Sequence, residues 1–148
     1  MFNQYSLHLG IASFLPLAYG LIDDKDELER AIQELTDETT MLCKHGLRSL
    51  SAKDQFFQID SNLYRGNVFI HLNYLVLRGL KKFYDKDIAA QEAYRLIRSR
   101  LIDTVYKSWK QDHLFWEMYD QGTGEGLGSA PFNGWTSLVL LIEAELYH

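Results

Sequence analysis

Glu117 is the residue from which chemistry can be argued most directly. It stands in Phe115-Trp116-Glu117-Met118-Tyr119-Asp120, and glycines follow at 122, 124, 126 and 128. The segment Pro131-Phe132-Asn133-Gly134-Trp135-Thr136 then leads into an apolar stretch. Rings beside a single acid suit sugar chemistry: sugars offer apolar faces for stacking, and a glycosidic bond is broken by carboxyl groups. Extended backbone over 114–119 would set Phe115, Glu117 and Tyr119 on one face, with Trp116 and Met118 on the other. A carboxylate flanked by rings is partly desolvated, which suits it to proton transfer. The competing explanation is a salt bridge from Glu117 to Arg48 or Arg65.

Those arginines lie in an earlier segment, where Gly46-Leu47-Arg48-Ser49-Leu50-Ser51 precedes Asn62-Leu63-Tyr64-Arg65-Gly66-Asn67. A guanidinium is a permanent fork of donors, able to hold a carboxylate or sugar hydroxyls, and equally able to pin a loop to a neighbouring acid. Residue types alone leave both open. Asn73 sits in an apolar stretch and needs partners if buried, a helix or loop hydrogen bond being favoured over a ligand. The glycine ladder fails as a dinucleotide fingerprint: counted from Gly124 and Gly126, the third glycine would fall at Ser129. No Gly-Lys-Ser/Thr occurs either. Ser49, Ser51, Ser129 and Cys43 have no base nearby in sequence, so no nucleophile is evident.

Composition narrows the classes further. A chain of 148 residues with 47% hydrophobic and 14% aromatic content can bury a core as one domain. A net charge of −5 without a basic stripe argues against nucleic acid; Arg95, Arg98, Arg100 and Lys107 read as a solvated helix face. One cysteine excludes an internal disulfide and a thiolate zinc site, and the five histidines lack the i, i+4 spacing of a helical metal pair. Neither a metal nor a cofactor is expected. The apolar run Leu9 to Ile22 has no preceding Lys or Arg, contains Pro16 and is too short to span a bilayer. It reads as a buried helix, with no direct membrane contact.

The elements that must position these residues follow from apolar spacing. Residues 5–19 read as a helix apolar nearly all round, ending at Gly20. A second helix starts at 23–26 and buries Leu28, Ala31, Ile32 and Leu35. Residues 41–66 lose the helical period and form a long structured loop with short extended pieces. Residues 67–84 make a deeply buried helix. Residues 87–109 make an amphipathic one, with Ala89, Ala93, Leu96, Ile97, Leu101 and Val105 inward, and 135–147 form the last. The fold class is all-α: about five helices with two long structured loops, alternating buried and amphipathic helices as in layered toroids.

In order and spacing these segments resemble glycoside hydrolase family 63, whose eukaryotic members include the processing α-glucosidases (mannosyl-oligosaccharide glucosidases). The resemblance is carried by four stretches: Ile11 to Leu21, His45 to Ser51, Asn62 to Arg78, and 115–141 with its Phe-Trp-Glu-x-Tyr-Asp and Pro-Phe-x-Gly-Trp-Thr. It covers nearly the whole chain. It implies a partial (α/α)6 toroid, residues 1–148 being the C-terminal portion of a catalytic domain that removes terminal glucose from an oligosaccharide with inversion. Glu117 would be the general base. Arg48, Tyr64, Arg65, Trp116, Tyr119, Phe132 and Trp135 would contact substrate. Inversion sets the two carboxyls roughly 6.5–9.5 Å apart, leaving room for the attacking water.

Two departures stand out. Where many members read Asn-Tyr-Trp-Arg-Gly-Pro-Ile-Trp, this chain has Asn62-Leu63-Tyr64-Arg65-Gly66-Asn67-Val68-Phe69, which alters sugar stacking there. The family's general acid, an aspartate, also belongs to a segment upstream of everything present. The expected partners are therefore an oligosaccharide and the remaining N-terminal part of the domain, and the isolated chain is expected to be inactive. The compartment stays open: endoplasmic reticulum for a eukaryotic processing enzyme, otherwise cytoplasm or periplasm. A non-catalytic carbohydrate-binding remnant and a helical interaction module are the alternatives.

Overall fold

The computed structural model describes residues 8–59 and 64–147. A 3-10 turn over Ile11–Phe14 runs into the short helix α1, Leu15–Tyr19, which Gly20 closes. Helix α2, Lys25–Thr36, starts where the Asp24 carboxylate accepts from the Glu27 amide at 2.8 Å, covering one of the otherwise unpaired first-turn N–H groups. Strands β1, Leu42–Cys43, and β2, Gly46–Leu47, form a small antiparallel hairpin. Helix α3, Ile70–Phe83, and helix α4, Ile88–Asp112, follow; Asp87 caps α4 through the Ala90 amide at 2.8 Å. Strands β3, Met118–Tyr119, and β4, Gly126–Leu127, make a second hairpin. A 3-10 turn over Trp135–Leu138 leads into α5, Val139–Glu143. Among the described residues the class is all-α, with five α-helices and strands of only two residues.

Helix α3 is the hub, and both α1 and α4 pack on it. Close approach to α1 depends on Gly79, where a Cβ would fall on the Leu17 carbonyl. Leu17, Leu35, Met41, Leu42, Leu47, Ile70, Leu77, Leu80, Tyr94 and Ile97 are fully enclosed around it. Asn73 is buried with them, accepts from the Leu47 amide (2.8 Å) and donates to the Leu47 and Phe69 carbonyls (3.2 and 2.8 Å). The expected helix-to-loop role is the observed one, and it fastens the first hairpin to α3.

Several expected elements need correction. Residues 5–7 lie outside the described residues, and the first helix is α-helical only over Leu15–Tyr19 because Pro16 fits an opening turn and not a helix interior. It is also buried on one side only, with Leu15 and Tyr19 exposed. Helix α3 starts at Ile70, not 67, since Val68 is engaged in backbone bridges. Helix α4 extends to Asp112, and its inward face is turned: Ala90 and Tyr94 are buried where Ala89 and Leu96 are exposed. The final helix ends at Glu143 and begins as a 3-10 turn. Alternation across 114–119 fails as well, since Met118 and Tyr119 are both buried. That segment is covered on both faces.

What brings the two loops together is a short ladder of backbone bridges. Arg48 pairs with Val68, Val68 with Tyr119, and Tyr119 with Gly126, all antiparallel. The Val68–Tyr119 rung is doubly bonded, with N···O distances of 2.9 and 3.0 Å. Loops remote in sequence thereby share one edge.

Candidate active site

Glu117 sits at the start of the second hairpin, half-buried. Its amide donates to the Ser129 carbonyl at 3.0 Å, and the Ser129 amide returns a bond to Glu117 Oε2 at 3.1 Å. Gly128 makes this possible: its φ is 79°, and a Cβ there would lie 2.8 Å from Oε2. Among the described residues Glu117 has no ion pair, and its other carboxylate oxygen has no protein partner. The salt-bridge explanation is therefore not the arrangement found.

The two arginines are occupied elsewhere. Arg48 Nε donates to Gln121 Oε1 at 2.9 Å, and Nη1 donates to the carbonyls of Glu38, Thr40 and Leu42. Arg48 thus ties the first loop to backbone, not to an acid, and joins it to the second loop through Gln121. Its Nη2 meets no acceptor among the described residues. Arg65 Nη1 donates to the Ile59 carbonyl at 2.7 Å, and its guanidinium lies 5.4 Å from the Phe56 ring centroid. Asn62 and Leu63 of the same motif lie outside the described residues.

Beside Glu117 the rings form a continuous wall. Tyr64 stacks on Phe69 at 4.6 Å, Phe69 meets His71 edge-on at 5.8 Å, His71 lies 4.6 Å from Trp135, and Trp135 lies 4.7 Å from Phe132. Trp135 reaches Glu117 itself, its indole N–H donating to the Glu117 carbonyl at 2.6 Å. Trp116 packs over Gly126 and donates its indole N–H to Asp112 Oδ2 at 2.7 Å. Tyr119 is different: its ring is fully enclosed in the core, its hydroxyl meets no well-aligned partner among the described residues, and burial pushes its phenol up to about 12. Of the residues chosen from sequence, Glu117, Tyr64, Phe132 and Trp135 are joined through this wall. Arg48, Arg65 and Trp116 flank it as tethers, and Tyr119 supports it from within.

Other participants carry little sequence signal. His71 has no pattern around it, yet it bridges Phe69 and Trp135; its Nδ1 is buried without a partner among the described residues, and burial pulls its pKa down. His45 holds the glycine loop. The Gly122 carbonyl can only accept, so Nε2 (3.3 Å away) carries the hydrogen and Nδ1, in the neutral ring, accepts from Thr104 Oγ1 at 3.0 Å. Asp120 Oδ1 accepts from the amides of Gly122 and Thr123, each at 2.8 Å. Burial opposes ionisation of that carboxyl, but the two amides outweigh it and hold its pKa below the usual value. The other side of this loop borders a polar cleft of about 350 Å³, lined by His45, Arg100, Asp103, Thr104, Lys107 and Thr123; Glu117 is not among its walls. Among the described residues no group of three His, Cys, Asp or Glu is disposed to hold a metal ion, and no helix is long and apolar enough to cross a membrane.

The probable mannosyl-oligosaccharide glucosidase of Schizosaccharomyces pombe is 35% identical over 95% of the chain, and the mannosyl-oligosaccharide glucosidase of Saccharomyces cerevisiae is 32% identical over 95%. In both cases the chain spans 18% of the relative's own length. A crystal structure of the family 63 mannosylglycerate hydrolase of Thermus thermophilus with Tris superposes with a TM-score of 0.68 at 25% identity, covering 93% of this chain and 30% of that one. The five helices are thus laid out as part of a helical toroid. The profile of the glycosyl hydrolase family 63 C-terminal domain matches residues 2–145, so the chain belongs to glycosyl hydrolase family 63.

Proposed function

We propose that the chain is the C-terminal portion of an (α/α)6 catalytic domain and supplies the general base of an inverting exo-α-glucosidase. One observation carries this reading: Glu117 is half-buried beside a wall of rings, one carboxylate oxygen is steered by the Ser129 amide, and the other has no partner among the described residues. The amide fixes the carboxylate's direction, and the second oxygen is left to meet water. Glu117 takes a proton from water as that water's oxygen bonds to the anomeric carbon and the glycosidic bond breaks. The departing oxygen takes its proton from an acid on the remainder of the domain. The rings of Tyr64, Phe132, Trp135 and Trp116 offer stacking surface, and Arg48, whose Nε and Nη1 hold the loop, has Nη2 to offer a hydroxyl.

The substrate class is an oligosaccharide ending in α-glucose. The 35% identity to a probable mannosyl-oligosaccharide glucosidase supports that over mannosylglycerate, where the likeness is 25%. In a eukaryotic cell the same reading puts the enzyme in the endoplasmic reticulum. On this reading the 148 residues alone would release no glucose, because the acid that protonates the leaving group belongs to the remainder of the domain. In a complete catalytic domain, Glu117→Gln should lower kcat by about 10²–10⁴-fold with KM little changed, and the first-formed sugar should have the inverted anomeric configuration. Unchanged turnover in Glu117→Gln, or retained configuration, would refute the proposal. Glucose release by the isolated chain that Glu117→Gln abolishes would refute the division of labour.

A further inference from the structure

Residues 115–117 are held in an unusual way. Three consecutive carbonyls, those of Phe115, Trp116 and Glu117, accept in turn from the Phe132 amide (2.8 Å), Thr136 Oγ1 (2.6 Å) and Trp135 Nε1 (2.6 Å). In an ordinary strand pair, backbone amides would fill that role. Here two of the three donors are side chains, adjacent in sequence, at the opening of the last 3-10 turn. The turn is itself fixed: the Ser137 amide and hydroxyl both donate to the Gly134 carbonyl, Thr136 is fully buried, and Val139 and Ile142 sit in the core.

We infer that Trp135 and Thr136 are positioning residues for Glu117, mooring its backbone to the core-bound start of the C-terminal helix. This rests on the reading of Glu117 as the base. It assigns the Trp135 indole N–H a task distinct from sugar stacking: that group is committed to a protein carbonyl, and only the ring face is left for a sugar. It also accounts for a terminal segment that is a tight turn and not a plain helix: the turn presents both donors to neighbouring carbonyls. A base must be held close to its working geometry, and a misplacement on the order of 1 Å can cost about 10² in rate.

Trp135→Phe removes the N–H and keeps a ring; Thr136→Val removes the hydroxyl at nearly constant shape; Thr136→Ser keeps the hydroxyl. Amide exchange read on the 148-residue chain should quicken by about tenfold at Glu117 and Ser129 in Trp135→Phe and Thr136→Val. Exchange in α3 and α4 should stay unaltered, and Thr136→Ser should restore protection. In a complete catalytic domain the first two variants should lower kcat by about tenfold to a hundredfold with KM within about twofold. Unchanged exchange at Glu117 and Ser129 in both variants would overturn the inference, as would a raised KM at constant kcat, which marks a sugar contact. If exchange quickens but Glu117→Gln leaves turnover intact, the mooring stands and the identity of the base is what fails.

Discussion

Replacing Asn73 with alanine should destabilise the chain far more than its place in the middle of a helix suggests. Alanine favours a helix over asparagine by roughly 0.6 kcal/mol, so local propensity alone predicts a gain. The structure predicts the reverse. Asn73 satisfies both backbone groups of Leu47, which is fully enclosed, so water cannot take its place. The Phe69 carbonyl would keep a partner in the residue-73 amide at 3.2 Å, so two groups are orphaned and not three. At about 1–3 kcal/mol for each buried unpaired group, the loss is about 2–6 kcal/mol. A domain typically has only about 5–15 kcal/mol in all. The urea midpoint, followed by circular dichroism, should fall by about 1–3 M. The hairpin of β1 and β2, which carries His45 and leads into Arg48, should lose amide protection first. A midpoint within about 0.3 M of the parent chain would refute the argument, since helix propensity would then outweigh the orphaned groups.

Two further outcomes follow from the surface and the glycine loop. Asp120 has a lowered pKa in the folded chain, so its contribution is complete above the ordinary aspartate value of about 3.9 and disappears as pH falls through the lower folded value. Urea midpoints of the parent chain and Asp120→Asn should differ near neutrality and converge in acid; a gap constant with pH would contradict this. The apolar groove between α4 and α5, with Tyr106 53% and Leu140 62% exposed, should bind a hydrophobic dye and promote association. Tyr106→Lys with Leu140→Lys should abolish the dye signal while helix content holds, and a dye-free, monodisperse parent chain would count against it.

Much of the scaffold was legible in the sequence because apolar period and helix caps are local signals. Leu28, Ile32 and Leu35 face inward as their spacing requires, and the break at 84–87 separates α3 from α4. The turned face of α4 was not legible: alanine at 89, 90 and 93 is a weak marker, and the helix phase is set by Tyr94, Thr104 and Ser108, whose burial depends on distant partners. In the site, Glu117 and its rings could be named because residue type bears on their chemistry. The work of Ser129, Thr136 and Trp135 could not, because their donors meet backbone groups, and every residue has those. The commitment of Arg48 to carbonyls was hidden for the same reason.

The mooring of Glu117 also has an optical consequence. The chain has three tryptophans, and each indole lies at a different place of interest. Trp135 is bonded to the Glu117 carbonyl amid His71 and Phe132, Trp116 is bonded to Asp112 against the glycine loop, and Trp109 lies 40% exposed on the apolar groove. Indole emission responds to hydrogen bonding, neighbouring rings and water. The intrinsic fluorescence of this protein is thus a native probe set, one dye on the carboxylate's anchorage, one on its loop, and one on the uncovered face.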